Sequence, residues 1–154
     1  MDIQDVSAGK GALCAAILKT LPQWFGIPQS NAAFARDVEG MAMFAAFEGG
    51  APCGFLALNR HTQYAFEIHV MGVIPKAHRQ GIGAALVEQA EGFARQSGAV
   101  FLSVKTRSPT RPDPNYIKTL AFYRAVGFLP IEEFATLWDA ENPALMLIKA
   151  LGQD

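Results

Sequence analysis

Between Val70 and Leu86 the chain reads Val-Met-Gly-Val-Ile-Pro-Lys-Ala-His-Arg-Gln-Gly-Ile-Gly-Ala-Ala-Leu. An apolar strand-like run gives way to a basic loop with two close-set glycines, then to a helical pattern. The first N–H groups of a helix have no intrahelical partner and lie at the positive end of its dipole. Gly81 and Gly83 carry no side chain that would hold a phosphate away from them. Lys76, His78 and Arg79 fall within four positions, and no acidic residue occurs between Glu67 and Glu88. The combination predicts a diphosphate site. Glycines at a helix start also serve tight packing on a sheet, but strand, proline, basic loop and long apolar helix together favour the anion. A dinucleotide fingerprint fails, because Leu86 stands where a third small residue belongs. An ATPase phosphate loop fails too, since no Gly-Lys-Ser/Thr follows.

The elements that must position this loop are legible around it. A helix is expected from about Gly9 to Leu21, stopped by Pro22, with Trp24-Phe25-Gly26 in a turn. Ser30 and Asn31 are read as caps of a second helix through Phe34 to Val38. Met41 to Phe47 and Gly54 to Leu58 read as a hairpin about Gly49-Gly50. Tyr64 to Val73 alternates Phe66, Ile68 and Val70 against Glu67, His69 and Met71, a strand with two different faces. Residues from about Gln80 to Gln96 are helical, closed by Gly98, and Val100 to Val104 is a short strand. Thr106 to Pro114, with three prolines, reads as a loop. A helix over Tyr116 to Ala125 ends at Gly127, and strands follow near Phe128 to Leu137 and Ala144 to Ala150, with a further short one at Ile3 to Val6. The order predicts an α/β sandwich on a mixed sheet.

Composition narrows the partners. The 154 residues predict one domain over 1–154. Net charge is −1 and the apolar share is 51%, which excludes disorder and argues against a nucleic-acid binder. No apolar run approaches the ~20 residues of a membrane span. The acidic start Met1-Asp2-Ile3-Gln4-Asp5 is unlike a signal peptide, so a cytoplasmic protein is expected. Cys14 and Cys53 form neither a disulfide framework nor a metal set, and no metal is expected.

The loop His78-Arg79-Gln80-Gly81-Ile82-Gly83 and the block Phe122-Tyr123-Arg124-Ala125-Val126-Gly127-Phe128 resemble the two signatures of the GNAT superfamily of acyl-CoA-dependent N-acyltransferases. His78 stands where the family has Gln or Arg, and Tyr116 where it often has an asparagine seven positions before the tyrosine. The resemblance spans Gly40 to Ala150. It implies a mixed, largely antiparallel sheet of six to seven strands flanked by about four helices and splayed at the strand ending near Val73. It implies backbone contacts from Met71 and Val73 to a pantetheine arm, with the Val73 N–H also polarising the thioester carbonyl. Amides from His78 through Arg79, Gln80, Gly81, Ile82 and Gly83 to Ala84 would hold the pyrophosphate. Tyr123 matches the family's frequent general acid.

Direct transfer from acetyl-CoA to a primary amine, a small molecule in preference to a protein N-terminus or lysine, is therefore expected in a ternary complex. A non-catalytic acyl-CoA sensor is the alternative class. Alkylammonium groups have pKa values of about 10, so the site needs a base or a desolvating pocket. Glu67 and His69 are the candidates, both on the strand leading to the thioester, although a bulge would reverse the alternation. Trp24 and Phe25 wall an acceptor pocket or pack in the core. Arg107 and Arg111 are expected in solvent, and Trp138 lies where some family members meet a second subunit. Monomer and homodimer both stay open.

Overall fold

The structure, a computed structural model, describes residues 1–152; the last two residues of the domain expected over 1–154 lie outside them. Seven strands, β1 (Asp2–Asp5), β2 (Ala42–Glu48), β3 (Ala51–Thr62), β4 (Ala65–Val73), β5 (Phe101–Arg107), β6 (Leu129–Asp139) and β7 (Asn142–Ala150), form one sheet in the order β1-β2-β3-β4-β5-β7-β6. Every neighbouring pair is antiparallel except β4 with β5. Helices α1 (Lys10–Leu18) and α2 (Pro28–Asp37) cover one face, and α3 (Ile82–Gln96) and α4 (Pro114–Ala125) the other. This is the expected mixed, largely antiparallel sheet with four helices.

Each face has its own core. Cys14, Ile17 and Leu18 of α1 pack with Leu21 on Met43, Ala45, Phe55, Ala57 and Val70. Opposite them, Ile82, Leu86, Val87 and Ala90 of α3 pack with Phe44, Leu56, Ile68 and Val104. A Cβ on Gly72 would lie 2.9 Å from Leu21 Cδ1 and 3.3 Å from Ile17 Cγ2, so only glycine lets this part of β4 approach α1 so closely. Cys14 and Cys53 are reduced, buried and on opposite faces. Burial pushes the Cys14 thiol up to about 12, which removes it as a nucleophile.

Several boundaries differ from the sequence expectations, each for a physical reason. Helix α2 begins at Pro28, whose fixed φ suits a first turn, with Ile27 before it; Ser30 and Asn31 are inside the helix rather than caps, and Asn31 Nδ2 donates to Phe25 O. Helix α3 starts at Ile82, with Gly81 as its N-terminal flanking residue. Strand β5 continues through Arg107, past the expected stop at Val104, because β7 pairs with it along that whole length. The residue opposite the Ala57/Leu58 step is His69: Ala57 faces Val70 while Leu58 faces Ile68, so His69 is an extra residue in β4. That β-bulge reverses the alternation. Val70 therefore joins the core under α1, whereas Met71 joins Phe66 and Ile68 under α3.

Helix α3 is tied to the last strand by an ion pair. Lys149 Nζ bonds Glu91 Oε1 and donates to Val126 O at 2.7 Å, with Glu91 9% exposed. Removing one member strands a mostly buried charge. Lys149→Met is expected to lower unfolding free energy by about 3 kcal/mol in urea titrations, and adding Glu91→Leu to recover most of that loss.

Candidate functional site

The site opens where β4 and β5 part. Their parallel register runs from Ala65 with Phe101 to Ile68 with Val104 and ends there, although β4 continues to Val73 and β5 to Arg107. On its other edge β4 stays paired with β3, and Ile74 N–H donates to Cys53 O at 2.9 Å. In an antiparallel ladder hydrogen-bonded and non-hydrogen-bonded pairs alternate. Gly72 opposite Phe55 is then a bonded pair, and the N–H and C=O groups of Met71 and Val73 turn away from β3 into the gap left by β5. His78 Nε2 donates to one of these groups, the Val73 carbonyl, at 2.6 Å.

Above the gap, a single 3-10 turn over Pro75–Ala77 leads into the basic loop. Arg79 has φ +64° and is the one non-glycine residue with positive φ among the described residues; Gly81 follows with φ +78°. A left-handed conformation at a side-chain-bearing residue costs energy, and such strain collects at ligand loops. A Cβ on Gly81 would meet no atom of the described residues within 4 Å, so the space beside it is open. Gly83 differs, since a Cβ there would lie 3.0 Å from the Phe122 ring. The structure thus gathers His78, Arg79, Gln80, Gly81, Ile82, Gly83 and Ala84 at the start of α3, beside the gap bordered by Met71 and Val73.

Helix α4 closes the far side. Asp113 caps it, its carboxylate accepting from the N–H groups of Asn115 at 2.9 Å and Tyr116 at 3.3 Å, with Pro114 at the first helical position. This holds Tyr123 between the rings of Phe122 and Phe128. Burial, and less strongly Tyr116, push the Tyr123 phenol well above its ordinary value, so it stays protonated. Its hydroxyl makes no hydrogen bond among the described residues. Tyr116 spends its own hydroxyl on Trp24 O at 2.6 Å. Trp24 Nε1 in turn donates to Thr119 Oγ1 at 3.0 Å and Asn115 O at 3.2 Å, and the indole meets the His78 ring edge-on at 5.9 Å. The loop between α1 and α2 is clasped to α4 beside the basic loop. Phe25 packs edge-on against Phe34, and Phe34 against His69.

Glu67 and His69 keep to the α2 side, since the reversal comes only after His69. They have separate partners. Glu67, 8% exposed, holds His61 Nε2 at 2.5 Å and Lys105 Nζ at 2.9 Å. Burial raises the Glu67 carboxyl, but hydrogen bonds from His61 and Lys105 and their charges outweigh it and leave it below the ordinary carboxylate value. His69 Nε2 lies 3.0 Å from Asp37 Oδ2. His61, Lys105 and Asp37 escaped the sequence reading, and no local motif marks them. Arg107 is not left to solvent: it donates to Arg111 O and Asn142 Oδ1, both at 2.9 Å. Arg111 lies 3.7 Å from Glu141, and Trp138 is exposed on β6. No cluster of metal-ligating side chains occurs, and no helix is long and apolar enough to cross a membrane, among the described residues.

Comparison with known proteins agrees with this geometry. Residues 16–128 match the family described as Acetyltransferase (GNAT) family. Over 75 residues the chain is 36% identical to N-alpha-acetyltransferase RimI of Mycobacterium tuberculosis (strain ATCC 25618 / H37Rv). That match covers 49% of this chain and 42% of the relative, less than half of either. Among solved structures, a Desulfovibrio desulfuricans protein of the same family superposes with a TM-score of 0.84 at 16% identity, over 98% of this chain and 99% of that one. An aminoglycoside 6'-N-acetyltransferase complexed with coenzyme A superposes with a TM-score of 0.80 at 15% identity, over 100% and 99%. At those identities the superpositions establish the fold.

Proposed function

Since the chain belongs to the acetyltransferase (GNAT) family, we propose that it transfers an acetyl group from acetyl-CoA to a primary amine, by direct attack with both substrates bound together, in the cytoplasm. The observation that carries this is the parting of β4 from β5 directly below the Arg79–Gly81 loop. A CoA thioester fits what is there. Amides at the start of α3 and open space at Gly81 suit its pyrophosphate. The inward-turned backbone of Met71 and Val73 suits the pantetheine arm, and the Val73 N–H suits the thioester carbonyl. The Val73 carbonyl would be shared with His78 or released by it.

Tyr123 is the proton donor to the departing sulfur: its phenol stays protonated and its hydroxyl has no partner among the described residues. Glu67 and His69 lie on the acceptor side, and either one removes the amine's proton. Trp24 and Phe25 wall the acceptor. The aromatic run Trp24, Phe25, Phe34 and His69 favours a small amine. The RimI likeness favours the second reading, a polypeptide α-amino group.

Isothermal titration is expected to show acetyl-CoA binding, and release of CoA thiol is expected with at least one amine in a panel of kanamycin, 2-phenylethylamine, lysine and an alanine-initiated peptide. Absence of acetyl-CoA binding overturns the reading. Binding without thiol release from any of the four points to the sensor instead.

A further inference from the structure

We propose that Asp37 is a positioning residue for His69, and that His69 so held, rather than Glu67, removes the proton of the attacking amine. The inference rests on the acyl-transfer reading above. Asp37 is the last residue of α2, and His69 is the extra residue of the bulge in β4. A carboxylate only accepts hydrogen bonds, so the 3.0 Å contact of Asp37 Oδ2 with His69 Nε2 selects the tautomer with its proton on Nε2. The lone pair is then on Nδ1, which has no protein partner among the described residues. Phe34 meets the ring at 5.6 Å and 74°, and the side chain stays a quarter exposed. The imidazole is thus oriented, flanked and open at one nitrogen.

Position separates it from Glu67. His69 is two residues from Met71, about 7 Å along the strand, whereas Glu67 is four residues away, about 13 Å. Both Glu67 oxygens are already engaged, one by His61 of β3 and one by Lys105 of β5. Those two hydrogen-bond partners favour its ionised form and leave it a weaker base, while Asp37 of α2 is the acidic group in contact with His69. In the step itself, His69 Nδ1 takes a proton from the amine nitrogen as that nitrogen bonds to the acyl carbon. The C–S bond breaks with its electron pair on sulfur, and the Tyr123 hydroxyl protonates the sulfur. Asp37 steadies the imidazolium until Nδ1 returns its proton to water, and Tyr123 regains one from water. The sum is amine plus thioester to amide plus thiol.

Asp37→Asn preserves size but removes the negative charge that steadies the imidazolium, and its amide, able to donate as well as accept, no longer enforces the tautomer protonated on Nε2. With acetyl-CoA and the fastest amine of the panel, kcat is expected to fall about 10- to 100-fold. The calorimetric acetyl-CoA affinity should stay within about twofold, and Asp37→Glu should restore part of the rate. The double variant with His69→Gln should lose no more than His69→Gln alone. Nitrogen-15 spectra of the unsubstituted protein should show neutral His69 protonated on Nε2. Its protonation on Nδ1 overturns the proposal without any variant, as does an Asp37→Asn enzyme with unchanged kcat or a loss that adds fully to that of His69→Gln. Failure of acetyl-CoA to bind the unsubstituted protein overturns the transferase reading instead, while the spectra still report on the Asp37–His69 pair.

Discussion

Tyr123→Phe is expected to lower kcat at least about a hundredfold while acetyl-CoA affinity stays within about twofold. The substitution removes one oxygen and keeps the ring that packs between Phe122 and Phe128. Because the hydroxyl has no partner among the described residues, no donor or acceptor there is orphaned by its loss, and the unfolding midpoint should not fall. The cost is confined to protonating the sulfur as the C–S bond breaks. Stopped-flow or thiol-release kinetics read kcat, and calorimetry reads affinity. An unchanged kcat removes Tyr123 from the acid role and leaves it a packing residue.

Gly81→Val tests the other end of the site, with an expected loss of acetyl-CoA affinity of about a hundredfold or more. Two effects combine. At φ +78° a β-branched residue is strained by about 1–3 kcal/mol, which lowers the midpoint by roughly 5 °C. The added side chain meets no protein atom near its Cβ, and so projects into the space proposed for the pyrophosphate. Gly81→Asn separates the two, because asparagine tolerates this backbone conformation. It should leave the midpoint nearly unchanged and still weaken acetyl-CoA binding at least tenfold. Full affinity in the asparagine variant would place the pyrophosphate elsewhere.

These two positions were legible from the chain because their signals are local. Close-set glycines, neighbouring basic residues and an apolar helix are contiguous, and the block from Phe122 to Phe128 sits on one helix. The acceptor side was not. Glu67 and His69 are candidates from the sequence, but the bulge at His69 leaves no trace in residue type, since it arises from how β4 pairs with β3. Asp37 is 32 positions from His69 and Lys105 is 38 from Glu67, so only the folded sheet brings them together. Helix α2 was misread at its start because Ser30 and Asn31 are good caps, yet Pro28 begins the helix two residues earlier. The end of β5 was misread for a similar reason. Prolines at 109, 112 and 114 suggested a loop, but Thr106 and Arg107 are held by β7, some forty residues later.

The clasp of Trp24 onto Asn115, Tyr116 and Thr119 bears on how this scaffold can be re-engineered or diversified. A loop between two helices is ordinarily an exchangeable part, varied without disturbing the rest of a fold. Here its tryptophan is bolted to the helix that carries Tyr123, so the two segments form one inheritable unit. Transplanting a relative's loop alone would take away the indole N–H that Thr119 Oγ1 and Asn115 O accept from, shift the carbonyl that accepts from the Tyr116 hydroxyl, and loosen α4 as well. If Trp24 and Tyr123 act as proposed, altered acceptor range would then arrive with impaired proton delivery. Chimeras should therefore exchange residues 19–27 together with the first turns of α4, and libraries at Trp24 should randomise Tyr116 and Thr119 beside it.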